Sequence, residues 1–195
     1  MKKTLLSVAT VLVLGGSALA QGLINFSNGA AGVNAPVTDI DGTTKLSGAG
    51  FIAELFAGPT GTAWGSLTAV LPTSIFATAA SAGYFFGGSH TVGNVASGSQ
   101  AAAQVRVWSA NFASWDAAWA AYQAGDVTAK VGVSGWAGSG LPTTTLTTPA
   151  LGGGPTPTPN LLGLTGFQLY TAVPEPSTIA LGVLGLGALF LRRRK

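Results

Sequence analysis

The side chains able to do chemistry are few and scattered. His90 is the single histidine and cysteine is absent, which removes disulfides, thiolate metal sites and cysteine nucleophiles together. His90 lies in Gly87-Gly88-Ser89-His90-Thr91, a turn-like context. A catalytic triad needs a serine, a histidine and an acid brought together. Serines are plentiful, but no Gly-x-Ser-x-Gly elbow marks a nucleophile, so His90 reads as a surface-loop histidine. Asp39-Ile40-Asp41-Gly42 resembles the opening of a calcium loop, yet Thr44 stands where the turn glycine belongs and Gly50 where the bidentate glutamate belongs. An Asp-Gly turn between strands is the expectation there and no metal site is assigned, the alternative being a weak calcium ion held by the two carboxylates and nearby carbonyls. Paired carboxylates for glycoside hydrolysis need two acids across a cleft. Glu54 with Asp116 is one available pair, but Glu54 on an alternating strand reads as solvent-facing. The five tryptophans, Trp64, Trp108, Trp115, Trp119 and Trp136, are core or helix anchors in the simplest reading. In the alternative, exposed rings, Trp64 and Trp136 foremost, stack on sugars. No catalytic residue and no cofactor is expected.

The elements that must position these groups are mostly short strands parted by turn clusters. Gly22–Ser27, Gly50–Phe56 (ended by Gly58-Pro59-Thr60-Gly61) and Gln104–Trp108 are the clearest. In the last, Val105 and Val107 take one face and Arg106 the other. Leu67–Leu71 and Gly83–Gly87 are weaker. Val127–Trp136 alternates, with Val127, Ala129, Val131 and Val133 inward and Thr128 and Lys130 outward; Leu161–Val173 holds a last strand around Gly166–Tyr170. One segment has helical character: Ser114 as N-cap, Asp116 at the positive end, Gly125 as the stop, and Trp115, Trp119 and Tyr122 on one face at i, i+4 and i+7. The fold class expected is mainly β, an antiparallel β-sandwich or jelly-roll with one short helix. Residues 151–160, rich in Gly, Pro and Thr, form a loop or spacer.

Charge separates the ends from the middle. Charged residues are 8% of the chain and hydrophobic ones 47%. Lys45, Arg106 and Lys130 are the only cations between residues 21 and 173, against Asp39, Asp41, Glu54, Asp116 and Asp126, a net −2. A nucleic-acid face needs clustered cations, and this stretch has none. The basic residues gather at the termini. Lys2 and Lys3 precede the apolar run Leu5–Leu14, and Ala18-Leu19-Ala20 supplies an A-x-A cleavage pattern, the three parts of a secretory signal. At the other end Val173-Pro174-Glu175-Pro176-Ser177-Thr178 precedes the uncharged run Ile179–Leu191, closed by Arg192, Arg193, Arg194 and Lys195. The prolines stop an upstream helix, and the terminal cations act as a stop-transfer cluster on the cytoplasmic side. Thirteen helical residues rise about 20 Å, against about 30 Å of hydrocarbon, so this is a short anchor.

That ordered C-terminal set of Pro174-Glu175-Pro176, short apolar run and arginine cluster resembles the PEP-CTERM sorting signal. The resemblance covers about Val173–Lys195. It implies recognition by exosortase, a membrane-embedded cysteine transpeptidase-like enzyme that cuts near the motif and hands the protein to the cell envelope. It also implies a Gram-negative host that makes exopolysaccharide. The middle loosely resembles predicted exported proteins of environmental bacteria bearing the same tail, through Ala35–Gly42, Leu55–Pro59 and Gln104–Trp108, with no activity to transfer.

The expected organisation is therefore a signal peptide at 1–20, an extracellular β-rich domain at 21–173 and a sorting and membrane segment at 174–195. The expected function is a non-enzymatic structural or adhesive envelope protein associated with exopolysaccharide, held in the membrane by its C-terminal helix until processed. The alternatives are a carbohydrate-binding module and a secreted hydrolase. Exosortase, the membrane and exopolysaccharide are the expected partners, and nucleic acid is not one.

Overall fold

The computed structural model describes residues 21–173. The expected signal helix at 1–20 and transmembrane helix at 174–195, with Ala18, Ala20, the Pro174-Glu175-Pro176 motif and the terminal basic cluster, lie outside the described residues. No helix among the described residues is long and apolar enough to cross a membrane.

The domain is mainly β, with antiparallel sheets and one α-helix. Its strands are β1 (Gln21–Ser27), β2 (Gly29–Ala30), β3 (Val33–Asn34), β4 (Val37–Thr38), β5 (Gly48–Pro59), β6 (Thr68–Phe76), β7 (Phe86–Ala96), β8 (Ala101–Ser109), β9 (Lys130–Val133), β10 (Leu146–Thr147), β11 (Phe167–Gln168) and β12 (Tyr170–Thr171). Helix α1 (Trp115–Gln123) joins β8 to β9. The main sheet runs β12-β9-β8-β5-β6, with β10 also paired to β8. A second, two-stranded sheet pairs β1 with β7. Among the described residues, β11 on β4 is the one parallel strand pair.

The central strands show why this chain builds two cores. Alternate residues of a strand face opposite ways. From β5, Ala53, Leu55 and Ala57, and from β8, Ala101, Ala103, Val105 and Val107, enter one core together with Ile24 and Phe26 of β1 and Val92 of β7. The opposite parity, Phe56 of β5 with Ala102 and Trp108 of β8, enters a second core with Trp115 and Ala118 of α1 and Val131 and Val133 of β9. All nine residues of β8 are buried, because the main sheet is covered on both faces.

Several expected elements shift for identifiable reasons. Val127 is 53% exposed rather than inward. The inward alternation starts only at Ala129, because the Asp126 carboxylate accepts from the Thr128 N–H (2.8 Å) and hydroxyl (2.7 Å) and turns the chain there. The single last strand is two pieces with different partners: Phe167–Gln168 pairs with β4 and Tyr170–Thr171 with β9. The 151–160 stretch is no free spacer. Leu151 is fully buried, and Leu23 and Gly152 exchange backbone bonds of 2.8 and 2.7 Å, pinning the loop to β1.

Candidate functional site: an aromatic cluster with a buried arginine

All five tryptophans meet on the helix-covered face of the main sheet, and α1 organises them. Ser114 caps the helix as expected, its hydroxyl accepting from the Ala117 N–H at 3.3 Å. The C-terminus closes in a Schellman arrangement: Asp126 N–H donates to Ala121 O (3.0 Å) and Gly125 N–H to Tyr122 O (3.1 Å). Gly125 takes φ +86°, where a Cβ is disfavoured. Between these stops, Trp115, Trp119 and Tyr122 stack in sequence, centroids 5.5 and 5.4 Å apart and rings within 20° of parallel. The i, i+4, i+7 spacing thus forms a continuous aromatic stripe.

The stripe lies on rings from other elements. Trp108 meets Trp115 edge-on at 6.4 Å, Trp64 meets Trp119 at 6.3 Å, and Trp136 meets Trp119, Tyr122 and Tyr170 at 5.5, 5.8 and 5.1 Å. The indole N–H groups of Trp108 and Trp136 donate to Phe112 O (3.1 Å) and Ser139 O (3.2 Å), as buried indoles require. The 134–140 turn presses so closely on Tyr170 that a Cβ on Gly138, already at φ +84°, would sit 2.2 Å from the ring. Burial raises the pKa of the Tyr122 phenol, and neighbouring Tyr170 adds to the effect.

Beneath these rings lies a charged group. Glu54 of β5 is the cross-strand partner of Arg106 on β8. Arg106 is 4% exposed and Glu54 7%. The guanidinium lies 3.8 Å from the centroid of Phe56, donates through Nε to Gln104 Oε1 (2.8 Å) and through Nη2 to Trp64 O (2.6 Å). Gln104 in turn donates to Pro142 O and Thr144 O, each at 2.8 Å. Burial pushes Arg106 down to about 10, opposed by Asp116 and then Glu54, which leaves it cationic at neutral pH. Burial pushes the Glu54 carboxyl up; Arg106 counters this and Asp116 adds to it. Cross-strand opposite charges flanked by aromatic faces form a fixed polar centre in an apolar setting.

This corrects one expectation: Glu54 is not solvent-facing. Arg106 does lie on the face opposite Val105 and Val107, and that face is covered as well, because α1 and the chain from Ser134 to Thr144 roof it. The buried Gln104 and Arg106 were missed as a unit. The available signal was their shared parity with Trp108, which places two polar residues on a face that an aromatic helix was already expected to cover.

The other sequence candidates fall elsewhere. His90 is a core residue of β7, 1% exposed, not a loop histidine. Its ring nitrogens face Gly88 O (3.2 Å) and Pro72 O (2.6 Å), and its ring meets Phe26 edge-on at 5.0 Å. The Asp-Gly turn is present: the Asp41 carboxylate accepts from the hydroxyl and N–H of Thr44 and from Thr43 N–H. Those bonds, the Thr44 hydroxyl foremost, hold it well below the usual carboxylate range. Asp39 instead pairs with Lys130 across the domain at 2.7 and 2.9 Å. Among the described residues no three His, Cys, Asp or Glu side chains come together as a metal-ligand group. Of the two candidate sugar-stacking rings, Trp64 is half-buried at the cluster's edge. Trp136 is only 7% exposed, enclosed by Trp119, Tyr122 and Tyr170, so it cannot offer a free face. A cleft of about 250 Å³ between Ser134–Gly135, Thr144–Leu146 and Gly163–Thr165 carries no titratable side chain.

The last strand, β12, ends at Thr171, and a recognisable signal begins at the next residue. Residues 172–195 match the PEP-CTERM protein-sorting motif. Neither a curated protein nor a solved structure matches the chain. The match lies in the tail alone, so it carries an address: residues 172–195 hold a PEP-CTERM protein-sorting motif, a signal that supports exosortase processing and localisation to the cell envelope.

Proposed function

We propose that residues 21–173 form a non-enzymatic β-sandwich displayed outside the inner membrane of a Gram-negative cell, with a structural or adhesive role in an exopolysaccharide matrix. The observation that carries the reading is the direct junction of a folded β domain with the sorting motif, β12 ending one residue before the match at 172–195. The interior supports it as well. His90, Glu54 and Arg106 are tied into cores, and Asp41 is committed to a turn. In the proposed course, the segment at 1–20 is removed on export, exosortase acts near Pro174-Glu175-Pro176, and the domain passes to the envelope.

The test is the mass of the native protein. In a host with exosortase, the mature chain lacks residues 1–20 and the apolar tail, and Pro174→Ala with Pro176→Ala leaves the tail attached. An intact tail on the native protein defeats the processing step, and failure to co-purify with the host's exopolysaccharide defeats the matrix role.

A second reading, a carbohydrate-binding module, is favoured by Trp64. Its ring is half-buried beside the Arg106 guanidinium, 5.7 Å from the ring centroid, which puts an aromatic face next to a fixed polar group, the pairing that sugar rings need. Loss of polysaccharide retention in Trp64→Ala with unchanged thermal stability distinguishes it from a purely structural role.

A further inference from the structure

The aromatic cluster has two ends. Trp64 lies at one. The other is formed by Tyr122, Tyr170 and Val127, where the chain leaves the domain. Tyr170 belongs to the final strand, and the hydroxyl of its neighbour Thr171 donates to Val127 O at 2.7 Å. Val127 is 53% exposed and Val173 81%, while Trp119, Tyr122 and Tyr170 are half-buried. Exposed aliphatic residues and partly covered aromatic rings thus lie on chain segments that meet where the sorting segment emerges.

Covalent geometry limits how far that surface can lie from lipid. Five residues separate Val173 from Ile179, where the uncharged run begins, and the six Cα–Cα steps between them, fully extended, reach at most about 21 Å. The headgroup region adds about 5–8 Å on each side of the hydrocarbon. While the tail is inserted, the Tyr122–Val127–Tyr170 surface is therefore held within a few ångströms to two nanometres of the bilayer. Tyrosine and tryptophan favour that boundary, because each combines an apolar body with a polar tip.

We infer that this end of the cluster, Tyr122, Val127, Tyr170 and Val173 with Trp119 behind them, docks on the membrane interface of the anchored protein and sets how the domain presents itself before sorting. The contact is apolar rather than electrostatic. The neighbouring cation Lys130 is already paired with Asp39, and the adjacent Asp126 is an acid bound to Thr128, so anionic lipid headgroups are not the attraction. Membrane association of the tail is the premise, and the experiment monitors it separately.

The five tryptophans all lie between residues 64 and 136, and none lies in either terminal segment. Intrinsic fluorescence therefore reports the cluster alone. The full chain is reconstituted into phosphatidylcholine vesicles brominated either near the carbonyl end or near the methyl end of the acyl chain, with alkaline carbonate extraction confirming tail insertion. The expected result is quenching, stronger from the carbonyl-end bromines because interfacial side chains sit only about 5–10 Å deep, and unchanged when anionic lipid is added. Val127→Asp, at an exposed position, abolishes quenching while the tail stays inserted and the thermal transition is kept. Unquenched emission with an inserted tail overturns the proposal, and so does undiminished quenching in Val127→Asp. Emission that responds to soluble polysaccharide but not to brominated lipid also overturns it, and assigns the whole cluster to glycan. Failure of carbonate resistance reports on the anchor, not on the docking surface.

Discussion

Replacing Arg106 with methionine tests the buried polar centre most directly, because it keeps the apolar stem and removes only the charge and its donors. Three interactions go at once: the Nε bond to Gln104 Oε1, the Nη2 bond to Trp64 O, and the contact over Phe56. Glu54 loses the one neighbour that favours its ionised form. Hydrogen bonds from a charged group are worth about 1.5–3 kcal/mol each, and Glu54, which neighbours Arg106 across the strands without bonding it, loses its Coulombic support, so about 3–5 kcal/mol is at stake. For a domain of this length each kcal/mol moves the midpoint about 2–4 °C, so Arg106→Met lowers Tm by roughly 6–20 °C at pH 7.

The same logic fixes the pH dependence. The folded carboxyl of Glu54 titrates above its unfolded value, chiefly through burial, so between the two values the folded state holds the extra proton. Stability then falls as pH rises through that window and levels off above it. Without Arg106 the folded value climbs further, the window widens upward, and the penalty of the substitution shrinks as the solution is acidified. Glu54→Gln placed in the Arg106→Met background recovers part of the loss at pH 7, the Coulombic part, because a neutral amide needs no counterion. Urea melts of the four chains from pH 4.5 to 8 complete the double-mutant cycle. A penalty below about 1 kcal/mol, within the reach of surface substitutions, or no recovery from Glu54→Gln, refutes the view that Glu54 and Arg106 compensate each other beneath the cluster.

Three further outcomes follow from the geometry around α1 and the domain's one ion pair among the described residues. Ser114→Ala removes the hydroxyl that accepts from Ala117 and costs about 1 kcal/mol, read by thermal denaturation, with Ser114→Asp retaining the cap. Gly138→Ala forces a Cβ into the Tyr170 ring at a left-handed φ; it costs about 2 kcal/mol or more and changes the near-ultraviolet dichroism of the tryptophans. Lys130→Met breaks the pairing with Asp39, whose side chains are 30% and 23% exposed; it costs about 1 kcal/mol or less, and that cost declines as salt is added.

What could be read from the sequence depended on whether its cause was local. The cap at Ser114, the stop at Gly125 and the Trp115-Trp119-Tyr122 stripe follow from chain geometry within one helix, and the structure has all three. The Asp41 turn is likewise local. Apart from Val127, where the Asp126–Thr128 bonds turn the chain locally, the failures are tertiary. An alternating strand such as Gln104–Trp108 shows that Arg106 and Val107 point opposite ways, but not whether the second face is covered. Covering depends on α1 and the Ser134–Thr144 chain returning over it. His90 reads as a turn residue from its glycines, yet Gly87 is where β7 passes so close to β1 that a Cβ would lie 2.6 Å from the Phe26 ring. Gly87 permits close strand packing, and Gly88, at φ +79°, sits where the β1–β7 register shifts rather than in a loop.

The two buried polar residues that the sequence did not announce are what connect the tryptophan cluster to the rest of the fold. Arg106 bonds the carbonyl of Trp64 on one side and Gln104 on the other, and Gln104 holds Pro142 and Thr144 of the returning chain. That chain also carries Trp136 and Gly138 onto Tyr170, the first residue of the strand from which the sorting motif departs. Positions as far apart in sequence as 64, 106, 136 and 170 are thereby joined through one network of close-packed rings and bonded polar groups, with Glu54 as the cross-strand neighbour of Arg106. Such a network resists partial opening, since freeing any member exposes an unpaired buried polar group. The physical consequence is a domain held folded up to its last strand, immediately before the residues that match the sorting motif.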